Sequence, residues 1–240
     1  MDPSLSRRRL LALAGGAAGA AALGPIGAAE ALARSGGSRY PHPKTPTEAV
    51  RLLQAGNWRY RHGKLQLRDY SPVGERVASE QKPFAAIITC ADSRISPELV
   101  FDVERGNLFV SRVAGNSIDT ATLGSTEYAV TVLGVKLVVV LGHSDCGAIK
   151  SAIDVVSHGK SYPPSKYGAI GEVIDDLVPT IESLPPEERH VARCVPANAI
   201  SQAQDIAGRG PIVAPAIAEG KIRVVAAVYN LANGAVSIVR

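Results

Sequence analysis

Four short runs, Phe84 to Thr89, Leu108 to Val113, Leu137 to Leu141 and Ile222 to Tyr229, are rich in Val, Ile and Leu and lack a regular polar alternation. A strand with one wet face alternates apolar and polar residues, so these runs predict strands buried on both faces of a parallel sheet. Helical candidates lie between them at Pro97 to Phe101, Ala121 to Leu133 and Gly147 to Val156, which gives the strand and helix alternation of an α/β fold. A fifth run, Ala235 to Val239, follows the turn pair Asn233-Gly234 and predicts a hairpin return to a sheet edge. The expected architecture is α/β: a short, mainly parallel β-sheet flanked by helices, with an N-terminal helical arm and a C-terminal antiparallel edge strand.

Ahead of the sheet, Thr45-Pro46-Thr47-Glu48 supplies an N-cap, a proline at the first helical position and a glutamate at the third. This capping box predicts a helix from about Pro46 to Arg61. Residues 34–44 carry Gly, Ser and Pro without an apolar period and read as an extended arm. Residues 1–33 have the layout of an export signal: Arg7, Arg8 and Arg9, an Ala/Gly-rich apolar run ending near Gly24, and Ala31-Leu32-Ala33 as a cleavage site. The Arg7-Arg8 pair after Ser6 resembles the twin-arginine signal, so a periplasmic or secreted location is expected. A membrane anchor is the competing reading, weakened by Gly15, Gly16, Gly19 and Pro25, and no stable membrane insertion is expected once the leader is removed. The rest, 45–240, reads as a single domain, with Pro163-Pro164 and Pro185-Pro186 turns around a further helical region.

Composition narrows the function. With 240 residues, 46% hydrophobic, the chain is neither disordered nor a disulfide-stapled miniprotein, and it is long enough to bury a core. Its 26 Lys+Arg against 22 Asp+Glu leave a mild charge of +4, and no basic stripe with interleaved aromatics follows the first ten residues. A nucleic acid partner is therefore not expected.

The chemistry-bearing residues stand at strand ends. The first apolar run closes in Cys90-Ala91-Asp92-Ser93-Arg94 and the third in Gly142-His143-Ser144-Asp145-Cys146-Gly147. Open α/β sheets bind their ligands at the carboxyl ends of strands. Two thiolates and an imidazole form a normal zinc set, and three protein ligands leave a fourth position for water. Cys146 precedes the start of a helix, whose N-terminal field favours a thiolate. Asp92 and Arg94 are spaced to pair, with the guanidinium orienting the carboxylate. A Cys90–Cys146 disulfide competes for the same residues, because the leader predicts an oxidising compartment. Asp145 reads as a turn residue and Cys194 as a buried structural thiol.

Taken in order, the strings Cys90-Ala-Asp-Ser-Arg-Ile-Ser-Pro-Glu98, Gly106 to Asn116, Ser125 to Val130 and Gly142 to Ala148 resemble the β-class carbonic anhydrases. The resemblance covers roughly Thr45 to the C-terminus and is weakest over 155–220. It implies a zinc-dependent lyase, a carbonate dehydratase, that hydrates carbon dioxide reversibly to bicarbonate and a proton through a zinc-bound hydroxide. It further implies that Cys90, His143 and Cys146 bind Zn2+, with water or Asp92 as fourth ligand, and that Asp92 and Arg94 act in catalysis. Gln81, Phe109, Tyr128 and the Gly147 N–H would contact substrate, the two aromatics lining an apolar pocket at a dimer interface. A homodimer or homotetramer is implied, with the N-terminal helix packed on a partner subunit. Relatives of the same fold hydrolyse carbon disulfide or carbonyl sulfide, and a noncatalytic zinc-binding or bicarbonate-sensing protein is the reading outside enzymes.

Overall fold

The computed structural model describes residues 42–66 and 80–240. The expected leader over 1–33, and all but the last three residues of the expected arm over 34–44, lie outside the described residues. No described helix is long and apolar enough to cross a membrane.

Helix α1 (Pro46–Arg61) starts and ends where its caps predict. The Thr45 hydroxyl accepts from the Glu48 N–H at 3.2 Å, while the Glu48 carboxylate takes the N–H of Lys44 at 2.7 Å. The reciprocal half of the box thus closes one residue earlier than a standard capping box, where it would return to Thr45. Arg59 and Arg61 complement the helix dipole at its last turn.

Strands β1 (Ala85–Thr89), β2 (Leu108–Arg112), β3 (Leu137–His143), β4 (Arg223–Tyr229) and β5 (Val236–Val239) form one sheet in the order β2-β1-β3-β4-β5. The first three junctions are parallel and the last is antiparallel. Every residue of β1 and β3 is buried, which is why those segments show no alternation in sequence. Strand β3 runs two residues beyond the predicted end and takes in Gly142 and His143. The hairpin of β4 and β5 turns at Gly234, whose φ of 70° only glycine adopts freely.

Between the strands lie α2 (Pro97–Val100), α3 (Thr120–Thr131) and α4 (Gly147–His158). The region without a clear pattern holds α5 (Pro164–Tyr167), α6 (Ile170–Asp175), α7 (Val178–Glu182), α8 (Val191–Gly208) and α9 (Val213–Ala218). The two sheet faces divide by strand alternation. Ile87, Val139 and Leu141 face Ala49 and Leu53 of α1 together with Phe101 and Val103. Ala86, Ile88, Val138 and Val140 face Ala129 of α3, Ala199, Ala203 and Ile206 of α8, and Val213 of α9.

The apolar stripe of α1 therefore lies on the sheet of its own chain, through Ala49 and Leu53, while Trp58 of the same helix stays 49% exposed. The contact is close enough to be specific. A Cβ on Gly56 would fall 1.7 Å from the Phe101 carbonyl oxygen. The Asn57 side chain ties three segments, donating to the carbonyls of Val100 at 3.1 Å and Gly234 at 2.8 Å and accepting from the Val236 N–H at 3.0 Å. A Gly56→Ala substitution must push α1 off the Phe101 backbone and is expected to cost about 1–3 kcal/mol; denaturant unfolding of wild type and variant measures it.

Candidate metal centre

Strands β1 and β3 pair with Thr89 opposite Leu141. Cys90, one residue past that pair, and His143, two past it, consequently leave the sheet side by side. The chain runs from β1 outward to β2 and then crosses back over β1 to β3, so this point is where the strand order reverses. Such crevices are the usual ligand sites of open α/β sheets.

Asp145 next adopts φ 61°, a left-handed kink expected of a turn residue. The kink brings Cys146, the N-cap of α4, back toward His143. The ligand atoms of Cys90, His143 and Cys146 all lie within 4.8 Å of one another, and the three residues are 5%, 0% and 2% exposed. All three cysteines are free thiols, so the competing Cys90–Cys146 disulfide is not formed. Cys194 is fully buried in α8, as expected of a structural thiol.

The His143 ring reports which group it awaits. Its Nδ1 lies 2.9 Å from the Ser144 carbonyl oxygen, which can only accept, so Nδ1 carries the proton. The Nε2 lone pair is then directed elsewhere, and Nε2 is buried with no hydrogen-bond partner. Two sulfurs and an unpartnered imidazole nitrogen, close together and away from water, match the donor set of zinc. The two thiols are strongly linked. A hydrogen bond with Cys146, reinforced by His143 and the Gly115 N–H, pulls Cys90 down to about 4 against its burial. The same bond and burial push Cys146 up, opposed by the amides of Ala148 and Ile149 at the start of α4. For His143, burial works against the charged ring but is outweighed by the neighbouring Cys90 sulfur, so its pKa rises.

Asp92 and Arg94 meet as their spacing predicts. Arg94 Nε donates to Oδ1 at 2.9 Å and Nη2 to Oδ2 at 2.7 Å, and the Arg94 backbone N–H adds a third bond to Oδ1 at 2.9 Å. The Arg94 side chain is the main reason that Asp92 is held well below the usual carboxylate range. Oδ2 stands 3.8 Å from His143 Nε2. Asp92 is thus beside the three-residue cluster and outside it, because the guanidinium fork holds both carboxylate oxygens away from a ligand position. Asp145 is ion-paired with Lys150 and has one oxygen 4.0 Å from Arg94.

Two residues that side-chain chemistry did not single out complete the site. Arg112, at the end of β2, donates to the carbonyls of Cys90 at 3.2 Å and Asp92 at 2.6 Å and so clamps the segment carrying ligand and carboxylate. Gly115 donates its N–H to Cys90 Sγ at 3.4 Å. Its φ is 72°, and a Cβ there would fall 2.6 Å from a Leu177 methyl. Both stand in the Gly106 to Asn116 string, where their order in the chain, more than their chemistry, was the signal.

The expected substrate residues are not all gathered at this point. Gly147 is the exposed first residue of α4, next to Cys146. Gln81 is exposed ahead of β1. Phe109 and Tyr128 pack ring against ring at 6.3 Å, but Phe109 pairs with Ala86, about 13 Å of extended chain before Cys90.

A cysteine, histidine and cysteine cluster at the switch point of a parallel sheet, with an arginine-held carboxylate at its mouth, defines an α/β protein built around a zinc-type centre. Residues 85–236 match the carbonic anhydrase family model. Carbonic anhydrase 2 of Mycobacterium tuberculosis is 38% identical over 200 residues, covering 79% of this chain and 90% of that protein. The carbonic anhydrase of Mycolicibacterium smegmatis is 35% identical over 198 residues, 80% of this chain and 93% of that one. Among solved structures, a Coccomyxa β-carbonic anhydrase in complex with acetazolamide superposes with a TM-score of 0.57 at 26% identity, over 80% of this chain and 82% of that one. One of two tetrameric β-carbonic anhydrases from Sordaria macrospora shares the fold, with a TM-score of 0.58 at 23% identity, over 80% and 94% of the two chains. The chain belongs to the carbonic anhydrase family, in its β class, and is an enzyme of the carbonate dehydratase type.

The pKa directions predict how the metal-free protein behaves. A thiol depressed from 9.0 to about 4 favours the folded state fully above pH 9.0, and that contribution is lost as pH falls through about 4. Metal-free protein at neutral pH is expected to show the ultraviolet absorbance of one buried thiolate shared by the Cys90 and Cys146 pair, which the double substitution Cys90→Ser with Cys146→Ser removes. Unchanged absorbance in that variant would place the charge elsewhere.

Proposed function

We propose that this chain hydrates carbon dioxide reversibly to bicarbonate and a proton, with zinc held by Cys90, His143 and Cys146. The observation that carries the proposal is the buried, unpartnered His143 Nε2 facing two cysteines, with the Asp92–Arg94 pair 3.8 Å away. Zinc in such a set supplies Lewis acidity, which lowers the pKa of a bound water to about 7.

The protein's own groups provide the rest. Asp92, kept ionised by Arg94, can only accept hydrogen bonds. It would therefore engage the proton of a hydroxyl held beside it, leaving that oxygen's lone pairs for an incoming carbon. The fork of Arg94 fixes which way the acceptor faces, and Arg112 fixes the backbone from which Asp92 projects. The Gly147 N–H, at a helix start, is suited to a developing oxygen charge.

Gln81, Phe109 and Tyr128 fit the reading as residues given to a neighbouring subunit of a homodimer or homotetramer. Tyr128 is 48% exposed although it packs on Phe109, and Gln81 is exposed. The tetrameric Sordaria enzymes share the fold. Residues 1–33 direct the chain to the periplasm or outside the cell by the twin-arginine route, on the strength of Arg7-Arg8 and the apolar run after them.

The test is stopped-flow carbon dioxide hydration with zinc content measured on the same sample. Fast hydration with about one zinc per chain is expected; bound zinc without hydration would overturn the substrate, and carbonyl sulfide and carbon disulfide are the gases to compare. Asp92→Ala is expected to keep its zinc and lose most turnover, about 100-fold or more, and full activity would refute the orienting role. Cys146→Ser is expected to lose zinc, because it removes one of two thiolates.

A further inference from the structure

Helix α8 lays an apolar face on the sheet and on the metal centre through Val195, Ala199, Ala203 and Ile206. Two amides interrupt that face. Asn198 is 1% exposed and Gln202 8%, and at i and i+4 they stand one above the other. A buried amide is costly unless its donors and acceptors are matched, so their partners show what the position is for.

Asn198 Nδ2 donates to the Gly115 carbonyl at 2.9 Å, and Gln202 Oε1 accepts the Ile118 N–H at 2.9 Å. Gln202 Nε2 lies 3.5 Å from Asn198 Oδ1 and joins the two side chains. Both amides thus hold the backbone between β2 and α3, and this is the segment whose Gly115 N–H meets Cys90 Sγ at 3.4 Å. The segment is an awkward one to hold. Gly115 and Asn116 are successive left-handed residues, at φ 72° and 49°, a conformation that few residues other than Gly and Asn adopt.

We propose that Asn198 and Gln202 are positioning residues of the metal centre. By pinning the Gly115 segment to α8 they keep its N–H on the Cys90 sulfur, which sets that sulfur's donor strength and its grip on zinc. The inference rests on the zinc reading above. An N–H to a thiolate draws electron density from the sulfur, which sets the energy of its charge-transfer band, and also fixes where the sulfur stands, and partners that orient a ligand in this way commonly govern affinity.

The variants are Asn198→Leu, of the same branched shape with no hydrogen-bonding atoms, and Asn198→Asp, which keeps the acceptor and loses the donor. Zinc affinity is read by chelator competition. The cobalt(II)-substituted protein reports the sulfur directly through its sulfur-to-metal charge-transfer band, which a loss of packing alone would not move. Both variants are expected to bind zinc about 10–100-fold more weakly and to shift the band to longer wavelength. Wild-type affinity and an unmoved band would overturn the proposal. If Asn198→Leu does not fold without metal, Asn198→Asp decides on the same two readouts. Wild-type protein that binds neither metal would overturn the zinc reading itself, which a failure confined to the Asn198 variants would leave standing.

Discussion

The register between β1 and β3 is the constraint on which the site depends. With Thr89 opposite Leu141, Cys90 and His143 leave neighbouring strands at nearly the same height. The Thr89 hydroxyl also donates to the Leu141 carbonyl at 2.9 Å, a buried tie at the last paired level. A slip of one residue would reverse which side chains face α1 and which face α8. The fully apolar faces of both strands prevent that, because Ile87 and Ile88 each have a packed layer to fill. The same burial that makes the core thus fixes the spacing of two of the three ligands.

The third ligand depends on backbone geometry. Cys146 reaches the centre because Asp145 takes a left-handed conformation, and the Asp145 side chain is held on the outside by Lys150. Around the three ligands the protein spends backbone groups more than side chains: the Ser144 carbonyl sets the His143 tautomer, the Gly115 N–H faces Cys90, and Arg112 holds the carbonyls of Cys90 and Asp92. These contacts are of the kind that orients first ligands and tunes them.

The parts legible in the sequence were those with a local cause. Thr45 and Pro46 marked the start of α1, unbroken apolar runs marked β1 and β3, and cysteines at strand ends marked the centre. The rest was hidden because its cause is distant. Asn198 and Gln202 look like ordinary polar residues of a helix until α8 is seen to put them against a loop more than eighty residues earlier. Asp92 was legible as chemistry, but only geometry separates a ligand from a carboxylate held beside the ligands.

That separation gives the centre its character. Without metal it holds a buried imidazole nitrogen with no partner and two thiols whose linked ionisation leaves one strongly depressed and the other strongly raised. A buried polar atom left without a partner, as Nε2 is, disfavours the folded state. A dication that accepts all three donors removes the conflict in one step, so metal binding and folding are thermodynamically linked here. The carboxylate at the mouth does not share in this relief. Asp92 is already satisfied by Arg94, and a group with its own partner can stay out of the metal's coordination and remain available to a substrate.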